Sequence, residues 1–393
     1  MNPIRKRNNR VTPSGPLAVL LLALLLLSGC AGGLRTETIV IPDTAEPTPA
    51  DAGGDVFEVN TIYRLASMDE KYSGVIRWAS PDELIRLSWD NKGSVAVDRY
   101  VQPFEQSQRV LDVGAHIIDF GSLSPDGRYF TGFAYGDKEN GDSALTLQPL
   151  PDGERQSIDT LQSVLRLGAR TLAWSNNSRF VSYFSISEQG EIWIEAYDTE
   201  SGTKKTYAMP DQIKTAFYLS VRLSDDGSSA LIVKEGKNDP LSFELGKLKE
   251  NKFETQYEHT LNQSGAVDWL DGDRVAFVGT DRTLFSYDLR NEGYSVLLDQ
   301  VDGFALSDDR QYIAYATAEA TVDVAKLQGN NLLSKKTVYR GFVADQLSWS
   351  PDGGALLIHG RKPYDGPIVA KPSQDSDIKY SYAAQLIVVD FLK

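Results

Sequence analysis

Short runs of alternating apolar and polar residues recur along most of this chain. Clear examples are "RYFTGFAY" from Arg128, "RFVSYFSI" from Arg179 and "QYIAYAT" from Gln311. Alternation with a period of two predicts β-strands that bury one face. After residue 56 no segment shows a long pattern with the 3.6-residue period of a helix. The sequence therefore predicts an all-β domain with almost no helix.

A turn motif related to Ser-Pro-Asp-Gly precedes these strands and divides the chain into repeats. Pro presets φ at the second turn position, Asp or Asn bonds to nearby amides, and Gly accepts a left-handed conformation, so the motif predicts a hairpin. Its copies are 37 to 51 residues apart, a spacing that suits four antiparallel strands per repeat. The seven marker positions are Ser80, Ser124, Ser175, Ser224, Leu270, Ser307 and Ser350.

Seven units of four strands predict a seven-bladed β-propeller, in which four-stranded antiparallel blades surround a central channel. The last unit ends with "QLIVVDFLK" and lacks a fourth strand, whereas residues 56–66 form an additional strand-like run before the first unit. We expect residues 56–66 to pair in the last blade and close the ring, because sheet edges would otherwise stay open. The propeller domain is thus predicted to span residues 56–393.

The repeats resemble those of TolB-like and WD40-like propellers of bacterial envelope proteins. The resemblance rests on "WSPDG" before an apolar strand and on "IWIEAYDTESGT" in the third unit, and it covers roughly residues 73–393. The fifth repeat departs from the pattern, since "LDGD" lacks the serine, and the Gly-His and Trp-Asp pairs of eukaryotic WD40 blades are missing. This family consists mostly of binding proteins and accessory domains, so the resemblance implies the architecture more strongly than the function.

The N-terminal residues differ from the repeats. A basic segment that includes Arg5 and Arg10 precedes an apolar stretch over residues 16–27, which is too short to span a bilayer comfortably, and "LSGC" ends at Cys30. This arrangement resembles a bacterial lipobox, which implies a lipoprotein signal peptide over residues 1–29 and lipid attachment, such as palmitate, at Cys30. An uncleaved transmembrane anchor is the alternative.

Residues 30–55 are predicted to connect the lipid-bearing cysteine to the propeller as a flexible tether, because they are rich in Pro, Thr, Ala and acidic groups. The expected location is the extracytoplasmic side of the bacterial cell membrane, with the lipid in the bilayer. The outer membrane of a diderm cell is the alternative location.

Charge excludes some classes of partner. The chain has 40 Lys and Arg against 54 Asp and Glu, and removal of residues 1–29, which hold four basic groups, leaves a net charge of −18. Such a surface disfavours binding of nucleic acid or anionic lipid through a general basic field. We interpret the acidity as a source of solubility, with a basic partner as the alternative. Cys30 is the single cysteine, so the domain is expected to be stable without an intrachain disulfide.

Residues for catalysis or metal binding are scarce in the sequence. His116, His259 and His359 fall in three different repeats, and the motifs of zinc proteases and serine hydrolases are missing. Acidic groups at 271–273 and 308–309 lie in the turns, so we interpret them as turn formers rather than calcium ligands. We therefore predict no catalytic residue, no metal and no cofactor. A propeller enzyme of the lactonase, cyclase or lyase kind, acting at the channel mouth, is the alternative function.

The two faces of the predicted propeller differ. The turn motifs mark one face (the turn face), while irregular segments, including residues 361–382, mark the other (the loop face). Long loops that mix aromatic and charged side chains are typical of interfaces, so we predict a scaffold or accessory role in which the loop face binds an envelope protein or peptide. The candidate partner-binding residues are Tyr72, Arg166, Arg170, Lys214, Phe217, Tyr218, Arg340, Phe342, Lys362, Tyr364, Asp365, Tyr380 and Tyr382.

Overall fold

The computed structural model describes residues 37–39, 57–65, 75–89, 95–114, 122–134, 144–160, 172–186, 190–210, 216–236, 239–363, 368–369, 380–381 and 385–392. Regular structure in these ranges consists of 31 strands, which confirms the all-β prediction. None of the described elements is a helix long and apolar enough to cross a membrane. The predicted signal peptide, Cys30 and most of the tether lie outside the described residues.

Four sheets each contain four strands, which follow one another in chain order and pair antiparallel. The first holds β3 (Ile76–Ser80), β4 (Glu83–Trp89), β5 (Val95–Val101) and β6 (Ser107–Gly114). The second holds β7 (Ser122–Leu123), β8 (Tyr129–Ala134), β9 (Ala144–Pro149) and β10 (Gln156–Thr160). The third holds β19 (Val267–Trp269), β20 (Arg274–Val278), β21 (Leu284–Asp288) and β22 (Gly293–Leu298). The fourth holds β23 (Val301–Leu306), β24 (Tyr312–Thr317), β25 (Thr321–Gln328) and β26 (Asn331–Arg340).

An eight-stranded sheet holds the third and fourth predicted units. Its strands are β11 (Ala173–Trp174), β12 (Phe180–Ile186), β13 (Ile192–Asp198), β14 (Thr203–Ala208), β15 (Ala216–Leu223), β16 (Ser229–Gly236), β17 (Ser242–Lys249) and β18 (Lys252–Thr260). Each half is a four-stranded antiparallel run, and the halves join through one parallel pairing of Ala208 with Lys252. Four-stranded antiparallel blades are thereby confirmed, but the hydrogen-bonded sheets do not separate into seven, because the outer edges of these two runs meet.

The N-terminal strand completes the sheet made by the C-terminal strands. That sheet has the order β1 (Glu37–Ile39), β2 (Val59–Leu65), β31 (Gln385–Phe391), β28 (Ala355–Arg361), β27 (Val343–Trp349). The pairing of β2 with β31 is antiparallel, with Ile62 opposite Val389, as the sequence predicted. The β1 strand is a correction to the predicted tether, since three residues of that segment pair with β2.

A two-stranded sheet of β29 (Ile368–Val369) and β30 (Tyr380–Ser381) lies within the predicted long loop.

Five of the seven marker residues share one hydrogen-bond pattern, which explains why serine recurs there. In the second unit the buried Ser124 Oγ donates to Asp126 Oδ1 at 2.6 Å and accepts the backbone N–H of Tyr129 at 2.9 Å. One hydroxyl thus ties the turn to both strands of the hairpin. The same two bonds recur at Ser175, Ser224, Ser307 and Ser350.

Neighbouring units pack against each other through large buried side chains and through the turns. Phe57, just before β2, is 1% exposed, and its ring centroid lies 5.4 Å from that of Tyr312 in the preceding unit. Gly127 has a φ of +67°, and a Cβ there would lie 2.9 Å from Cα of Ala79 in the first unit. The turn glycine therefore meets two needs, a left-handed conformation and a close approach between units.

Candidate functional site

The strands at the inner edges of the sheets line one cavity of about 470 Å³. The contributing strands are β3, β7, β11, β15, β19, β23 and β27. Each of these strands contributes a lining residue that directly precedes a buried Trp or Leu. We call these seven residues the cavity ring: Arg77, Ser122, Ala173, Arg222, Asp268, Ala305 and Ser348.

One side of the cavity ring holds an ion pair. Arg222 Nη1 lies 2.7 Å from Asp268 Oδ1, and Asn176 Nδ2 donates to the same oxygen at 3.0 Å. The backbone N–H of Trp269 also donates to this oxygen, at 2.8 Å. Three strands or turns from three units thus converge on one carboxylate, which neutralises the guanidinium of Arg222.

Arg77 occupies a different position in the cavity ring and has no such partner. Its Nη1 donates to the backbone oxygen of Ile76 at 3.1 Å, and none of the ion pairs among the described residues includes Arg77. Burial, and to a smaller extent the positive charge of Arg222, lower the pKa of the Arg77 guanidinium to about 10. Neither cause is an opposite charge that would stabilise the guanidinium.

Acidic groups lie nearer the ends of the cavity. Asp308 lines it beside the turn residues Pro125 and Pro351, and burial raises the pKa of the Asp308 carboxyl, with Asp309, Asp126 and Asp225 acting in the same direction and Arg310 opposing them. Asp345 lines the cavity from β27, towards the end where that strand begins. Positive charge is thus concentrated in the cavity ring, between two acidic ends.

Eight predicted site residues lie outside the described residues: Cys30, Tyr72, Arg166, Arg170, Lys214, Tyr364, Asp365 and Tyr382. Tyr380 begins β30, where it is paired with Val369. Phe217 and Arg340 are exposed and Lys362 is half-buried. These three lie at the loop-face ends of strands β15, β26 and β28, so the structure brings them to the same end of their sheets.

Tyr218 and Phe342 are corrections to the predicted partner-binding set, because both side chains are buried. The ring of Tyr218 lies 4.5 Å from that of Phe184, and Tyr218 is 4% exposed. Phe342 is 1% exposed, packs edge-on against Tyr339 at 5.7 Å, and belongs to the core between the last two units. Consecutive positions of a strand point to opposite sides, which agrees with an exposed Phe217 next to a buried Tyr218.

The cavity residues were missed by the sequence reasoning. The signal was present, since Arg77, Arg222 and Asp268 each directly precede the Trp or Leu that comes before a turn. Aligning that position across the repeats would have exposed a mixture of charged and small residues. Among the described residues, no three His, Cys, Asp or Glu side chains form a group that could hold a metal ion.

Comparison with known proteins yields structural likeness without sequence similarity. No family model and no curated protein matches the sequence. An oligogalacturonate lyase in complex with manganese has a TM-score of 0.55 at 12% identity, over 91% of this chain and 98% of that chain. A chain of a mitotic checkpoint complex has a TM-score of 0.50 at 12% identity, over 89% and 100%. The β-propeller domain of the Trilobed protease from Pyrococcus furiosus has a TM-score of 0.47 at 13% identity, over 74% and 91%.

These identities are low enough that the likeness concerns the fold alone. The antiparallel four-stranded sheets, whose inner strands surround one cavity, are the arrangement of a β-propeller. The chain is therefore an all-β propeller with antiparallel four-stranded blades.

Proposed function

We propose that this protein is a lipid-anchored, extracytoplasmic propeller of seven blades that binds a protein or peptide partner at its loop face. The blade count is supported by the cavity ring, to which seven inner strands each contribute one residue. It is also supported by the single pairing of Ala208 with Lys252, which joins two otherwise complete four-stranded runs. On this count the eight-stranded sheet comprises two blades whose outer edges touch.

The partner-binding role is carried by the exposure of Phe217. This side chain is 64% exposed and Leu219 is 37% exposed, and both lie in the loop-face part of β15, whose other part carries Arg222 in the cavity. Exposed aromatic and aliphatic groups are typical of protein interfaces, and Arg340 is also exposed at the loop-face end of its own strand, β26. We therefore place the partner on the loop face, around the end of β15.

The test of this role uses the full-length protein in its native envelope. Chemical crosslinking followed by mass spectrometry should identify a partner that is captured by the wild type and lost in Phe217→Ala. The matched control is Tyr294→Ala, which removes a side chain that is 67% exposed on β22, the outermost strand of its sheet. If both variants capture the same proteins as the wild type at unchanged melting temperature, Phe217 is not in the interface.

A second test concerns residues 361–382. Their replacement by a short Gly/Ser turn should leave the melting temperature unchanged and abolish partner capture, since β31 and all of β28 except its last residue, Arg361, remain in place. Undiminished capture by this variant would remove the loop from the proposed interface.

The lipid anchor is supported by "LSGC" after the apolar stretch. Replacing Cys30 with Ala should abolish metabolic labelling with fatty acid, because the thiol is the acceptor. Ser28→Ala serves as the control, since it keeps a small residue in the motif and should preserve labelling. Labelling of the Cys30→Ala protein would refute the proposed anchor.

A further inference from the structure

The wall of the cavity around Arg77 holds polar side chains that have few hydrogen-bond partners among the described residues. Ser122 and Ser348 occupy the positions on either side of Arg77 in the cavity ring, and Gln346 lies two residues before Ser348 on β27. The Ser348 hydroxyl and the Gln346 amide make no hydrogen bond within the described part of the chain, and the Ser122 hydroxyl makes one long bond of 3.5 Å. These groups are free to receive a ligand.

The positive charge of Arg77 is not balanced by an acidic group of the cavity ring. Arg222 is neutralised by Asp268 at 2.7 Å, which leaves the guanidinium of Arg77 as the uncompensated charge of the ring. A guanidinium removed from bulk water is costly unless an anion accepts its hydrogen bonds. Its planar arrangement of N–H groups matches the two oxygens of a carboxylate or phosphate.

The size of the cavity sets the size of the ligand. A volume of about 470 Å³ is at the lower part of the range for small-molecule sites. It accommodates a molecule of about the size of a monosaccharide, and it is lined by Trp78, Trp174 and Trp349 as well as by polar groups. Apolar walls with a few convergent polar groups are typical of sites for small polar molecules.

We propose that the cavity binds a small organic anion, with its carboxylate or phosphate group on Arg77 and hydrogen bonds from Ser122, Ser348 and Gln346. This site lies inside the propeller and is separate from the proposed partner surface around Phe217. It therefore stands or fails independently of the proposed partner.

Three probes that share one sugar ring test the proposal on the purified full-length protein in detergent. They are glucuronate, which carries a carboxylate, glucose 6-phosphate, which carries a phosphate ester, and glucose, which is neutral. Calorimetric titration gives the affinity, and tryptophan fluorescence reports binding because three indoles line the cavity. At least one of the two anions is expected to bind, and glucose is expected to bind at least tenfold more weakly than that anion.

Variants at the cavity ring then locate the bound anion. Arg77→Gln should weaken binding of the anion by at least about tenfold. Arg77→Lys should weaken it less, because lysine keeps the positive charge but lacks the planar N–H groups of the guanidinium. Arg109→Gln is the control, since Arg109 is an exposed arginine paired with Asp98 at 3.1 Å on a strand remote from the cavity lining. That variant should bind like the wild type.

A second measurement separates loss of the site from loss of the fold. Without ligand, Arg77→Gln should melt at the same temperature as the wild type or higher, because it removes an unpaired charge. The proposal is overturned if neither anion binds, if glucose binds equally well, or if a correctly folded Arg77→Gln protein keeps the wild-type affinity. The relative affinities of glucuronate and glucose 6-phosphate decide between carboxylate and phosphate.

Discussion

The indole Nε1 of Trp78 donates a hydrogen bond to the backbone oxygen of Ser348 at 3.1 Å, although 270 positions separate the two residues in the chain. This bond joins β3 of the first unit to β27 of the last. Trp349 makes the equivalent bond to the oxygen of Ala305, at 3.2 Å. The corresponding Nε1 atoms of Trp174 and Trp269 are buried and have no hydrogen-bond partner among the residues that the structure describes.

Replacement of Trp78 by Phe should therefore destabilise the protein more than the same change at Trp269. Both side chains are buried, 1% and 2% exposed, so the loss of volume is matched and the difference isolates the hydrogen bond. We expect Trp78→Phe to lower the free energy of unfolding by about 1 kcal/mol more than Trp269→Phe. Urea unfolding of both variants measures this difference. Equal losses would show that the bond between the first and last units adds no net stability.

The turn glycines give a second prediction. Gly127→Ala places a Cβ 2.9 Å from Ala79 Cα, whereas Gly329→Ala meets nothing within 4 Å at a similar φ, +62° against +67°. The left-handed conformation should cost both variants about 1–2 kcal/mol, and crowding between units should cost Gly127→Ala about 1–3 kcal/mol more. Thermal unfolding compares the two. Indistinguishable melting temperatures would mean that the neighbouring units move apart without cost.

The ion pair of Arg179 with Asp198 predicts a loss of stability in acid. Asp198 accepts two bonds from the Arg179 guanidinium, at 3.1 and 2.7 Å. These bonds lower the pKa of the Asp198 carboxyl from 3.8 to about 2, with smaller contributions from the backbone N–H groups of Glu200 and Ser201 against the opposing effect of burial. Because the pKa is lower in the folded state, this stabilisation is present above pH 4 and is lost as the pH falls towards 2.

Asp198→Asn should accordingly destabilise the protein at neutral pH and flatten the dependence of its stability on pH between 4 and 2. Asp308→Asn is the contrasting variant, because burial raises the pKa of that carboxyl and its charge is unfavourable in the fold. It should leave stability at neutral pH unchanged or raise it. Denaturant unfolding across this pH range tests both variants. If their free energies of unfolding changed in the same direction and with the same dependence on pH, the opposite pKa shifts of Asp198 and Asp308 would be contradicted.

Phe57, just before the N-terminal strand β2, should contribute strongly to the stability of the protein. Phe57 is 1% exposed and contacts Tyr312, Trp349 and Phe391. Phe57→Ala should lower the free energy of unfolding by about 3–5 kcal/mol, since it leaves a cavity beside the strand that completes the last sheet. Phe217→Ala is the control, because an exposed side chain should change stability by less than about 0.5 kcal/mol. Limited proteolysis near residue 57 gives an independent measure of strand release.

The sequence predicted the strands and turns well because those features depend on local chemistry. Alternation around residues 179–186 and the Ser-Pro-Asp-Gly motif both act within one hairpin, and the buried bonds of Ser124 follow from the motif itself. The missing fourth strand of the last unit was also enough to predict the pairing of β2 with β31.

Side-chain direction near the ends of strands was harder to predict. Phe217 and Tyr218 are adjacent aromatics, and which one points outward depends on the register of β15 with β16, including an irregularity between Tyr218 and Ser220. No composition rule gives that register. The cavity ring was missed for a related reason, since Arg77 and Asp268 lie in strands that look half-polar like any other, and their convergence depends on closure of the ring.

Pairing between β2 and β31 also has a consequence for the biosynthesis of the chain. The ribosome makes residues 59–65 long before residues 385–391, so this sheet cannot be complete until β31 has been synthesised. Until then the early strand has no partner on that side, and its exposed edge must be kept from pairing with other chains. A polypeptide that is released before residue 385 would lack β31 and leave both β2 and β28 with open edges, so premature termination yields a sheet that cannot be completed.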